Sequence, residues 1–190
     1  MKKLIPFGFM LAMLFMIACS EQDQQKPAAE KNEDLIQITD QEAMSVGITS
    51  QEVAKFDHSQ NFRTRLKGDF EVPSVETAAL GISLFRYTQD TSALYFVLGV
   101  NHIQDVTMAH IHLAPPGVNG PVVVPLFVGP AIEGPFAGVL NRGKITSEDL
   151  VGPLEGMTIP DLVKEIRMGN TYVNVHTVQH PGGEIRGQIK

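Results

Sequence analysis

From residue 61 onward, apolar and polar positions alternate with a period of two, the repeat of a strand with one buried face. Residues 61–68 set Phe62, Thr64 and Leu66 against Arg63, Arg65 and Lys67, and residues 78–86 set Ala78, Leu80, Ile82 and Leu84 against Ala79, Gly81, Ser83 and Phe85. Further strands are predicted over 93–100, 106–113, 121–128, 171–178 and 184–190, with Pro125 marking its strand as an edge or a bulge. Turns and loops separate them at 71–73, 90–92, 115–121 and 129–138, the last a Gly/Pro-rich stretch read as loop. Helical patterning is confined to two places. Thr146-Ser147-Glu148-Asp149 ahead of Leu150 reads as a helix start, and Pro160, Leu162, Val163 and Ile166 ahead of Gly169 fit a two-turn helix. About seven or eight strands, one or two short helices and no strand-helix alternation predict an all-β antiparallel sandwich or barrel.

Ahead of residue 61 the pattern changes twice. Met-Lys-Lys is followed by an apolar run from Leu4 to Ile17 and then Ala18, the make-up of a secretory signal over residues 1–18 and too short for an ordinary membrane span. Residues 19–60 form a polar tether in which Ser20 to Gln60 carries nine acids against three lysines. Such a composition cannot offset the entropy of ordering. Within it, Thr39 and Glu42 have capping-box spacing ahead of Ala43, Met44 and Val46, which predicts a short helix ended by Gly47. The acid of the tether accounts for the net charge of −6, so the domain over 61–190 is nearly neutral. No basic patch points to nucleic acid.

The single cysteine, Cys19, directly follows the signal-like run. Met16-Ile17-Ala18-Cys19 resembles a bacterial lipoprotein box, which implies lipidation of Cys19, anchoring to a membrane and residence in the bacterial cell envelope. Without a second cysteine the domain has no internal disulfide.

Candidate chemistry is concentrated in histidines. His110 and His112 stand one residue apart on a predicted strand and so share a face, as do Tyr172, Asn174 and His176 on another. If those two strands pair, three imidazoles meet on a stiff sheet, a donor set suited to copper or zinc. His180 and His102 are spare candidates. Glu184 and Arg186 also share a face; they read either as an ion pair covering a sheet edge or with Glu184, like Asn174, in the shell that orients a ligand histidine. No serine or cysteine nucleophile with a base, no phosphate loop and no close carboxylate pair stands out, which favours binding over catalysis.

The motifs Glu71 to Gly81, Ala109 to Leu113, Asn119 to Val123, Gly143 to Leu150, Gly169 to Thr177 and His180 to Ile189, in this order, resemble the chordin-domain (CHRD) family. That resemblance implies an immunoglobulin-like, Greek-key β fold and leaves the activity open. Ser74 stands where the family usually has proline, and His180 where it usually has asparagine. The HxH strand is also similar to that of copper/zinc superoxide dismutases, but their cysteine pair and full ligand set are missing, so dismutase activity does not follow. Two functions are therefore expected: an envelope-anchored domain binding copper or zinc through His110, His112 and His176, or a non-catalytic module that contacts an envelope protein or wall polymer.

Overall fold

The computed structural model describes residues 38–55 and 60–190. The expected signal, Cys19 and the first part of the tether lie outside the described residues. Seven strands form: β1 (Asn61–Lys67), β2 (Leu80–Tyr87), β3 (Leu94–Leu113), β4 (Val122–Phe127), β5 (Ile132–Ile145), β6 (Thr171–Thr177) and β7 (Ile185–Gln188). All pair antiparallel. β3 organises them, its first half pairing with β2 and β5 and its second with β6 and β4. Because β1 joins β2 to β7, the path β2-β1-β7-β6-β3 returns to β2 and closes like a barrel.

Two of the strands differ from the expectation. The strands expected over 93–100 and 106–113 are one bent strand, since the polar residues between them bulge without leaving the ladder. Register shifts fall between Val100 and Ile103 and between Gln104 and Val106, where His102 and Asp105 take φ of 51° and 53°. Histidine and aspartate tolerate this left-handed conformation better than most residues. The Asn101 side chain accepts the His102 N–H at 2.8 Å, and Asp105 accepts that of Gly134 at 2.7 Å. Second, part of the loop expected over 129–138 belongs to β5. That strand is hydrogen-bonded to β3 alone among the described strands, and at an edge Pro135 breaks no ladder while Gly134 and Gly138 supply positive φ. Pro125 lies on the other edge, β4, opposite His110 and beside a register shift.

The main core gathers Phe85, Leu94, Leu98, Val106, Ala109, Ile111, Val173, Val175 and Ile185. Helix α3 (Ile159–Arg167) adds Ile159, Leu162, Val163 and Ile166 to it, entered through a Thr158–Asp161 capping box with Pro160 in its first turn. The expected helix start at Thr146 is a single 3-10 turn over Ser147–Asp149.

A second core lies on the other face of β2 and β3. Helix α1 (Asp40–Ser45) forms with the expected Thr39–Glu42 capping box, and Ala43, Val46 and Ile48 are fully buried against Ile82, Leu84 and Val97. Helix α2 (Ser50–Lys55) follows. Residues 38–48 thus pack on the sheet, where the composition of 19–60 alone suggested tether. Arg65 to Glu42 and Arg142 to Glu52, each 2.6 Å, add ion pairs at the rim.

Candidate metal centre

β3 sends Ala109 and Ile111 into the core and His110 and His112 to the opposite face, while β6 sends Val173 and Val175 inward and Tyr172, Asn174 and His176 to that opposite face, where all three are still buried. Antiparallel register sets His110 across from Asn174 and His112 across from Tyr172. His110 leans along the diagonal toward His176, and its Nδ1 comes within 3.1 Å of His176 Nε2. One ring nitrogen from each of His110, His112 and His176 lies within 4.8 Å of the other two.

The hydrogen bonds fix the tautomers. His112 Nδ1 lies 2.9 Å from the Gly120 carbonyl and His176 Nδ1 lies 2.9 Å from the Pro181 carbonyl. A carbonyl only accepts, so both Nδ1 atoms carry the proton and both Nε2 atoms present lone pairs. His110 Nδ1 then donates to His176 Nε2. His112 Nε2 is buried and has no hydrogen-bond partner among the described residues, a costly state for a nitrogen that could otherwise bind water or a ligand. Burial holds all three imidazoles below their ordinary pKa, and it is helped at His110 by its two histidine neighbours, which bring that ring down to about 4. At neutral pH the three rings are therefore uncharged, the form that ligates metal.

The fit to a metal can be judged from spacing. Two nitrogens about 2.0–2.1 Å from a tetrahedral zinc stand roughly 3.3 Å apart. The 3.1 Å between His110 Nδ1 and His176 Nε2 matches that distance once the His110 proton moves from Nδ1 to Nε2, while the widest separation in the trio must contract.

Around the histidines is a layer of polar and aromatic groups. The Tyr172 ring stacks on His112 with centroids 4.8 Å apart and planes 9° apart, and the Arg186 guanidinium lies 3.4 Å from the Tyr172 centroid. Since β6 runs between β3 and β7, Tyr172 separates the imidazole from the guanidinium. Arg186 is 1% exposed and donates to Asn119 Oδ1 at 3.0 Å and to the Val118 carbonyl at 2.8 Å. It thereby pins the 114–121 loop over the sheet. The Tyr172 hydroxyl accepts the Gly120 N–H at 3.2 Å, so the carbonyl that orients His112 belongs to a clamped residue. A Cβ on Gly120 would lie 2.0 Å from the Leu113 carbonyl, which is why glycine is needed there.

The remaining candidates fall outside the trio. Glu184 is buried, but its carboxylate accepts from the hydroxyls of Thr77 at 2.7 Å and Thr177 at 2.8 Å, so the orienting role expected of it is taken by backbone carbonyls. Nor does it pair with Arg186 as a surface ion pair; both are buried and each has other partners. Asn174 donates to Glu71 Oε1 at 2.7 Å. Burial pushes Glu71 up to about 7, with Arg186 opposing. His180 shapes the turn before β7, where its carbonyl accepts the Gly183 N–H, and His102 is exposed on the β3 bulge. Sequence reasoning missed Arg186, Tyr172 and Glu71 as a connected group. Only the shared outward parity of positions 172 and 186 hinted at it.

A family model described as the CHRD domain matches residues 62–189. The chain belongs to the CHRD-domain family. Comparisons with curated proteins and with solved structures found no match. The CHRD match takes in the seven described strands apart from Asn61 at the start of β1, together with the three histidines, Tyr172 and Arg186. It begins after α1 and α2, so the second core is built partly by a segment outside the CHRD domain.

Proposed function

We propose that this chain is an exported, lipid-anchored protein of the bacterial envelope whose CHRD domain holds one transition-metal ion, copper or zinc, on His110, His112 and His176. The observation that carries this reading is the convergence of three neutral imidazoles with two Nδ1 protons committed to backbone carbonyls and the buried Nε2 of His112 left without a partner. Carbonyl-bonded Nδ1 atoms orient ligand rings and raise their basicity, the support that ligating histidines ordinarily have. Dialysis of the full chain against zinc or copper, followed by metal analysis, should find one ion per chain in the parent and a substoichiometric amount in His112→Ala. Equal, substoichiometric metal in both proteins would overturn the reading. The anchor rests on Met16-Ile17-Ala18-Cys19. Mass spectrometry of the membrane fraction should find lipid on Cys19, and a freely soluble chain with an unmodified Cys19 would refute it.

One feature favours a second reading, a non-catalytic module for an envelope protein or polymer. A cavity of about 520 Å³ lies beside the site, lined by residues including Lys67, Phe70, Glu71, Pro116 and Arg186. Its size is that of a small-ligand pocket, and it pairs an apolar wall with charged groups.

A further inference from the structure

The histidine face of β3 carries one more donor. Val106 is fully buried in the core, and strict alternation would send Met108 the same way. It does not. A bulge between Val106 and Met108 sets two steps of β3 against one of β6, pairing Val106 with Thr177 and Met108 with His176. From there Ala109 and Ile111 are fully buried while Met108 is 41% exposed, so the bulge moves the thioether from the core parity onto the face of His110 and His112.

Met108 stands directly across the ladder from His176 and two residues before His110, the two rings whose nitrogens approach to 3.1 Å. Directly opposed residues on antiparallel strands have Cβ atoms about 4.5–5.5 Å apart. Methionine is unbranched, with three rotatable bonds past its Cα, so its sulfur has ample freedom to swing toward such a centre. An apolar side chain left this exposed gains little from burial, whereas a soft donor beside three imidazoles alters which metal they prefer. Zinc is satisfied by nitrogen and oxygen, while thioether sulfur favours Cu(I).

We infer that Met108 is a fourth donor at the three-histidine centre and makes it selective for Cu(I) over zinc. This rests on the metal reading above, and the experiment separates the two. The full chain, Met108→Leu and His112→Ala are titrated anaerobically with Cu(I) against a chromogenic Cu(I) chelator, and in parallel with Zn(II) alone. Leucine conserves volume, so the sheet should be undisturbed, and matching thermal melts of the metal-free proteins check it. The expected result is one Cu(I) per parent chain, roughly tenfold weaker Cu(I) binding in Met108→Leu, and zinc affinity within about twofold of the parent. X-ray absorption of the Cu(I) protein should show a copper–sulfur path that disappears in Met108→Leu. Stoichiometric Cu(I) of equal affinity in parent and Met108→Leu, with no sulfur neighbour, would overturn the role of Met108 and leave the three-histidine site standing. Equal losses of Cu(I) and zinc in Met108→Leu would also overturn it, as a packing effect. Failure of the parent to bind either metal better than His112→Ala would overturn both.

Discussion

Replacing Arg186 with methionine tests whether the layer behind the histidines holds the domain together as the geometry says. The side chain is 1% exposed, makes hydrogen bonds of 2.8 and 3.0 Å to the 114–121 loop, and lies 3.4 Å from the Tyr172 centroid. Hydrogen bonds from a charged donor contribute about 1.5–3 kcal/mol each. A desolvated cation over an aromatic ring adds about 2 kcal/mol. Against these stands the cost of burying the guanidinium, several kcal/mol, which methionine does not incur. The net loss for Arg186→Met is therefore about 3 kcal/mol, the lower end of what breaking a buried charged network costs. For a domain of this size that lowers Tm by roughly 6–12 °C. Urea and thermal melts followed by circular dichroism measure it. Arg186→Lys keeps the charge but lacks the planar fork, and it should recover less than half of the loss. Amide exchange of Val118 and Gly120 should quicken in both variants, and metal affinity should fall, because the Gly120 carbonyl that orients His112 is freed. A melt of Arg186→Met within about 1 kcal/mol of the parent would refute the reasoning, since even one of the two short hydrogen bonds is worth that much.

Three further outcomes follow from the same geometry. In Gly120→Ala the added Cβ would meet the Leu113 carbonyl at 2.0 Å, so the loop must shift, and calorimetric titration should show metal affinity reduced by about tenfold or more; parent-like affinity would remove Gly120 from the support of His112. Glu71 has its carboxyl raised from 4.5 to about 7, so the folded protein keeps a proton that the unfolded chain has released, and the stability from this group is full below pH 4.5 and lost as pH rises through 7. Glu71→Gln lacks that proton, and its stability relative to the parent should therefore climb by about 2–3 kcal/mol between roughly pH 5 and 8, whereas a flat difference in urea melts would show an ordinary carboxylate. Val46→Ala removes methyl groups that are fully buried against β2 and β3 and should cost about 2 kcal/mol, where a residue in a free tether would cost nothing.

What the sequence disclosed, and what it hid, follows from the range over which each signal acts. Period-two alternation is local, so β1, β2, β6 and β7 were legible, as was the shared face of His110 and His112. The Thr39–Glu42 capping box was legible for the same reason, yet its docking was not: Ala43, Val46 and Ile48 are too few to display a helical period, and their partners Ile82, Leu84 and Val97 read as ordinary strand residues. In β5, Gly134, Pro135 and Gly138 argue for a loop by every local rule, and the strand forms because an edge asks so little of its outer side. A sequence offers only side chains such as Glu184 and Asn174 as partners for a ligand imidazole, since the fold alone decides where a backbone carbonyl lies. The backbone of Gly120 and of Pro181 does that work instead, and their placement depends on Arg186 and on the turn at His180.

The bulge at Thr107 shows the same limit from the opposite side. Read by alternation, Val106, Met108, His110 and His112 share one face, and an apolar pair at its start argues that the face turns inward. In the folded strand one extra residue splits the four, burying Val106 and turning Met108 out with the histidines. A parity change of one residue costs a ladder hydrogen bond and leaves a methionine in contact with solvent, which packing alone does not reward. Deleting Thr107 should remove the bulge yet leave Val106 in the core and Met108, His110 and His112 together on the opposite face, because alternation then runs unbroken from Val106 to His112. The bulge thus takes up Thr107 between Val106, which stays in the core, and a face of donors that stands opposite Ala109 and Ile111.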